Sequence, residues 1–170
     1  AYYTKQAGLN GRATISHANA LGDLQGEALT EMITILKDQE IDITSTVPVN
    51  RPTIPIPTLD KLGIQVSVGH DSITDHWSPF GTGNTIQKLG ILAERFRMSD
   101  EYSLSTALKY GTGGVTPLNE KGERVWPKVG DAATMMLVNA SCSAEAIARR
   151  ATVGSLFFKG KKVEGKLTQI

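Results

Sequence analysis

The 170-residue sequence holds three histidines, His17, His70 and His76, and one cysteine, Cys142. His17 closes the β-branched run Ala13-Thr14-Ile15-Ser16, and His70-Asp71 follow Ile64-Gln65-Val66-Ser67-Val68 after a single glycine. An imidazole exchanges protons near neutral pH, and a carboxylate accepts a proton from water or ligates a cation. Acid–base or metal-assisted hydrolysis is the chemistry such a set can do. Each residue has a plainer use as well, a satisfied structural histidine or an aspartate capping a turn. His17 and Asp71 weigh more together, because they come from different strands yet face one rim. His70, the neighbour of Asp71, points the other way along the strand and reads as a structural or supporting group.

The other candidates are weaker. Gly81-Thr82-Gly83-Asn84 opens a helix but lacks the lysine of a phosphate loop and the third glycine of a dinucleotide fingerprint, so it reads as a turn capped by Asn84. Cys142 has neither a second thiol nor a nearby histidine, which predicts a buried apolar role. Lys159-Gly160-Lys161-Lys162 reads as a solvated hairpin tip.

The elements that must position His17 and Asp71 alternate. Residues 13–17, 41–47 and 64–68 are short, β-branched and bounded by Gly, Pro, Asn or Asp, as strands require. A helix is predicted over residues 23–37, with Leu24, Ala28, Met32 and Leu36 on one face and Asp23 as its cap. Further helices are expected over 58–62, 84–97 and 100–110, the last capped by Asp100. Strands alternating with helices imply parallel pairing and right-handed crossovers, hence an α/β fold, with flavodoxin-like and barrel sheets both open. The carboxyl ends of such strands are where α/β folds place their sites. After residue 112 the character shifts to an apolar strand over 133–138, a short helix over 141–150 and a hairpin over 154–166.

Composition narrows the partners. Eighteen basic against seventeen acidic residues leave a net charge of +1, no footprint for a nucleic acid or an anionic membrane. No apolar run approaches the roughly 20 residues of a membrane span, and one unpaired cysteine suits a reducing cytoplasm.

Thr14-Ile15-Ser16-His17, then Val47-Pro48-Val49-Asn50, then Gly69-His70-Asp71-Ser72-Ile73-Thr74-Asp75-His76-Trp77-Ser78-Pro79-Phe80-Gly81-Thr82-Gly83-Asn84 resemble, in order, the last third of a cytosine-deaminase-like amidohydrolase. The resemblance implies a partial (β/α)8 TIM barrel, its last three βα units, over residues 1–112, and a β-rich tail over 113–170 from the family's small β-sandwich. It implies a small heterocyclic substrate, a divalent metal (zinc or iron) and a metal-activated water. Asp71 resembles the metal-binding, proton-shuttling aspartate after the eighth strand. His17 resembles the histidine after the sixth, which contacts substrate or water. Trp77, Asn50 and Ser72 take substrate-binding positions. Ser72 stands where cytosine deaminases carry a second aspartate, which points to another ring amine or to a cyclic amide. A whole barrel takes about 250 residues, and the family's His-x-His has no counterpart here. The chain therefore reads as a carboxyl-terminal piece, inactive alone and prone to form homo-oligomers or to associate with the missing amino-terminal part. A short non-catalytic binding or structural module is the competing expectation.

Overall fold

The computed structural model describes residues 1–73 and 79–163, and the chain divides into two compact units, Ala1–Asp71 and Ser72–Ile170. The first unit runs α1 (Tyr2–Gln6), β1 (Ala13–Ser16), α2 (Gly26–Asp38), β2 (Ile41–Ser45), α3 (Ile56–Lys61) and β3 (Val66–Val68). Its three strands form one parallel sheet in the order β1-β2-β3. The alternation in β2 explains which face the helices take. Ile41, Ile43 and Ser45 are buried while Asp42 and Thr44 between them are half-buried, the period of two that a strand imposes. Ile43, Ile54, Ile56 and Leu59 are at most 1% exposed and form the centre of this unit's core.

Two expectations are corrected here. The strand over 41–47 ends at Ser45, because Val47 takes a left-handed conformation, φ 50°, that no strand accommodates. The helix placed at residue 23 starts at Gly26 behind Gln25, and the Asp23 side chain does not cap it.

The second unit contains α4 (Thr85–Arg95), α5 (Glu101–Thr106), β4 (Met135–Val138), α6 (Ser143–Ala148), β5 (Val153–Phe158) and β6 (Lys161–Lys162). The last three strands form an antiparallel sheet in the order β4-β5-β6. The hairpin turns at Lys159 and Gly160, both at positive φ as a tight two-residue turn demands. Asn84 accepts hydrogen bonds from the amides of Ile86 and Gln87, so the Gly-Thr-Gly-Asn stretch is a capped turn. Replacing Asn84 by alanine strips two amides of their acceptor and should cost about 1 kcal/mol, read as a lower urea midpoint. No change in the midpoint would contradict that role.

Asp100 caps α5 by accepting from the Ser103 amide at 2.9 Å. Hydrogen bonds from the Ser103 side chain and amide hold its carboxyl below the ordinary value. The cap's stabilisation is therefore present above the unfolded aspartate value of about 3.9 and is lost as pH falls through the lower folded value. Cys142 is a further correction: its side chain is exposed, and its sulfur caps α6 by accepting from the Glu145 amide at 3.4 Å. Among the described residues no helix is long and apolar enough to cross a membrane.

Candidate functional site

The site stands at the carboxyl ends of the parallel strands in the first unit. β1 continues its ladder one residue past its end, the His17 amide donating to the Thr44 carbonyl at 2.7 Å. His17 and Ala18 then turn the chain through φ 66° and 49°. Non-glycine residues pay steric strain of about 1–3 kcal/mol in such conformations, which cluster where a side chain must be aimed. On the other side of β2, Gly69 donates to the Ser45 carbonyl at 3.0 Å, and Asp71 follows two residues later. Both candidate residues are thus moored to the same central strand.

The consequence is an approach of His17 Nε2 to Asp71 Oδ1 of 3.6 Å, with the two side chains 34% and 65% exposed. The two groups are in direct electrostatic reach of one another, and both are open to solvent. Such a pair contributes at most about 1 kcal/mol to stability, since solvent screens it.

Asn50 stands exposed on the loop that leaves β2, between the strands that carry His17 and Asp71. Ser72 is half-buried, and its hydroxyl has no hydrogen-bond partner among the described residues. His70 places both ring nitrogens out of solvent. Trp77 lies outside the described residues. Thr44 and Ser45, whose carbonyls moor the two site segments, were not singled out by sequence because backbone acceptors carry no residue signature.

A metal centre needs more than this chain's described residues provide. No group of three or more His, Cys, Asp or Glu side chains able to hold an ion occurs among them. A catalytic zinc-type site takes about three protein ligands. An open carboxylate beside an imidazole fits one side of such a centre and leaves the rest to other donors.

A cavity of about 830 Å³ lies inside the second unit, among Ile86, Val115, Trp126, Met135, Met136 and Leu156. Its lining is apolar and offers only Asp131 and Cys142 as titratable groups, so it brings no acid–base pair together.

A sequence model described as amidohydrolase family matches residues 1–156. The chain is 45% identical over 159 residues to the uncharacterized protein YahJ of Escherichia coli, covering 94% of this chain and 35% of that protein. It is 32% identical over 106 residues to the N-isopropylammelide isopropyl amidohydrolase of a Pseudomonas species, covering 62% of this chain and 26% of that one. Among solved structures, the N-isopropylammelide isopropylaminohydrolase of Burkholderia multivorans superposes with TM-score 0.77 at 25% identity, over 95% of this chain and 41% of that one. The 5-methylcytosine deaminase of Klebsiella pneumoniae, liganded with 5-fluorocytosine, shares the fold with TM-score 0.73 at 21% identity, over 98% and 44%. The chain thus spans well under half the length of these relatives.

Proposed function

This chain belongs to the amidohydrolase family, and from that premise we propose that it forms the carboxyl-terminal part of a hydrolase that breaks the exocyclic C–N bond of a small heterocyclic amine. The observation that carries this reading is the 3.6 Å approach of His17 to Asp71 at the carboxyl ends of parallel strands. Relatives named for hydrolysis of N-isopropylammelide and deamination of 5-methylcytosine support the bond type. The parallel order β1-β2-β3 supports reading residues 1–112 as the last units of a (β/α)8 barrel, and the antiparallel β4-β5-β6 supports a β-sandwich tail over 113–170.

In this reading Asp71 is one ligand of a divalent metal, zinc or iron, completed by donors outside these residues. Such an ion, when bound, lowers the pKa of water and polarises the ring carbon. The work of this chain's own residues is proton transfer. Water adds to the ring carbon, Asp71 takes one of its protons and passes it to the leaving nitrogen as the C–N bond breaks, and the second water proton goes to the adjacent ring nitrogen, yielding a ring carbonyl, a ring N–H and the free amine. His17 holds the substrate or the attacking water and exchanges a proton with it. Asn50 contributes polar contacts to the ring.

Amine release tests this. The full-length protein, supplied with zinc or ferrous ion, should release ammonia or isopropylamine from at least one of cytosine, 5-methylcytosine and N-isopropylammelide. Release from none of the three would overturn the reading.

A second expectation concerns the 170 residues alone. Parallel sheets are normally covered on both faces, yet three of the four β1 residues are exposed, Ile15 at 37%. On the other sheet Leu137 and Phe158 are 55% and 57% exposed. We propose that the isolated chain self-associates, or binds the remainder of the hydrolase if that is supplied. Light scattering should give a mass above the monomer's 18.3 kDa, and a monodisperse monomer would contradict it.

A further inference from the structure

The loop that carries Asn50 leaves β2 at Ser45 and enters α3 at Ile56, and three contacts within the first unit hold it. At its start the Val47 amide donates to Ser45 Oγ at 3.2 Å. Val47 is β-branched and sits at φ 50°, a conformation that persists because its side chain is only 1% exposed and locked in the core. At its far end the Thr53 hydroxyl donates to the Pro48 carbonyl at 2.7 Å, drawing the two ends of the loop together around residues 49–52. The third contact comes from the loop that follows β1. A Cβ on Gly22 would lie 3.0 Å from the Thr53 carbonyl carbon and 3.1 Å from both the Pro52 carbonyl carbon and the Thr53 oxygen, all backbone atoms. A side chain at Gly22 would press on this backbone, which would have to give by a few tenths of an ångström, so the backbone of the His17 loop lies directly against that of the Asn50 loop.

We propose that Gly22 and Thr53 are positioning residues for substrate recognition: they hold the loop of residues 46–55 so that Asn50 meets the edge of the substrate ring at a fixed place relative to His17. The inference rests on the hydrolase reading above and extends it to residues that touch no substrate. A carboxamide both donates and accepts, so it complements a ring edge on which a nitrogen or carbonyl acceptor adjoins an N–H donor. That recognition needs placement. A connecting loop without internal ties samples many conformations, and binding must then bear the cost of ordering it. A preformed loop avoids that cost, and the benefit appears in substrate binding more than in the chemical step.

Steady-state kinetics of the full-length protein test this, with cytosine, 5-methylcytosine or N-isopropylammelide as the probe, whichever is turned over. Thr53→Val removes the hydroxyl and keeps the branched shape; KM should rise about tenfold while kcat changes less than threefold. Thr53→Ser restores the donor and should return KM to within twofold of the parent. Gly22→Ala forces a methyl against the Pro52–Thr53 backbone and should raise KM as Thr53→Val does, so it carries the same test if the valine variant fails to fold. Because the ties act through Asn50, Asn50→Ala combined with Thr53→Val should be no worse than Asn50→Ala alone. An unchanged KM in the variants, a loss confined to kcat, or effects that multiply in the double variant would each overturn the proposal. Those outcomes leave the hydrolase reading intact, since the parent still turns over its probe. A parent that releases amine from none of cytosine, 5-methylcytosine and N-isopropylammelide overturns both.

Discussion

Replacing Asp71 by asparagine in the full-length protein should lower kcat at least about a hundredfold, the cost typical of losing an acid–base group. The melting temperature of the metal-free protein should barely move. Asparagine keeps the shape of the side chain and removes its negative charge and its capacity to take a proton. The side chain is 65% exposed and faces His17 at 3.6 Å, so the folded state has little to lose. The same change should weaken retention of a divalent ion, since a neutral amide is a poorer ligand than a carboxylate. His17→Gln should reduce kcat comparably, because glutamine can hydrogen-bond but cannot accept a proton at neutral pH. His70 makes the contrast: its ring nitrogens are out of solvent, so His70→Ala should show first as lost stability. Measuring kcat and melting temperature for the three variants separates these roles. An Asp71→Asn protein within threefold of the parent rate would remove Asp71 from the chemistry.

Ile43→Ala should have the largest effect on stability, about 2–5 kcal/mol. Ile43 is fully buried in the middle of β2, the strand that pairs with both neighbours, facing Ala13-Thr14-Ile15-Ser16 on one side and Val66-Ser67-Val68 on the other. Truncation there leaves a cavity under the central strand, and the parallel pairings on both sides hinder the collapse that would fill it. Against a typical total of about 5–15 kcal/mol such a loss is large, and the urea midpoint should fall with an unchanged slope. Ile43→Val removes one methylene and should cost about 0.5–1.5 kcal/mol. Equal midpoints for the alanine variant and the parent would mean that β2 is not the core strand described here. Because β2 also moors His17 and Gly69 through its carbonyls, any shift of the strand in Ile43→Ala should reach the site as well.

Much of this was legible along the chain, and the reasons are local. Short β-branched runs bounded by Gly, Pro, Asn or Asp marked the three parallel strands. Asn84 and Asp100 cap helices because short polar side chains next to a helix start reach its free amides. Lys159-Gly160 turns a hairpin because glycine tolerates positive φ. Strand ends flanked by His17 and Asp71 were visible as well, since parallel βα units put every carboxyl end on one rim.

Other features depended on contacts between residues distant in sequence, and local patterns misplaced or missed them. Thr46-Val47 reads as strand, yet burial of Val47 and the Ser45 hydroxyl hold that residue in a left-handed turn. Cys142 reads as a core residue, yet it sits exposed at a helix start where its sulfur accepts an amide. The sequence by itself determined the order of the elements and which residues could do chemistry, because propensity, period and capping act over a few neighbours. Only the tertiary structure decided that His17 and Asp71 approach to 3.6 Å, and that the Asn50 loop lies against Gly22. Distances between residues far apart in the chain follow from how strands pair and backbones pack.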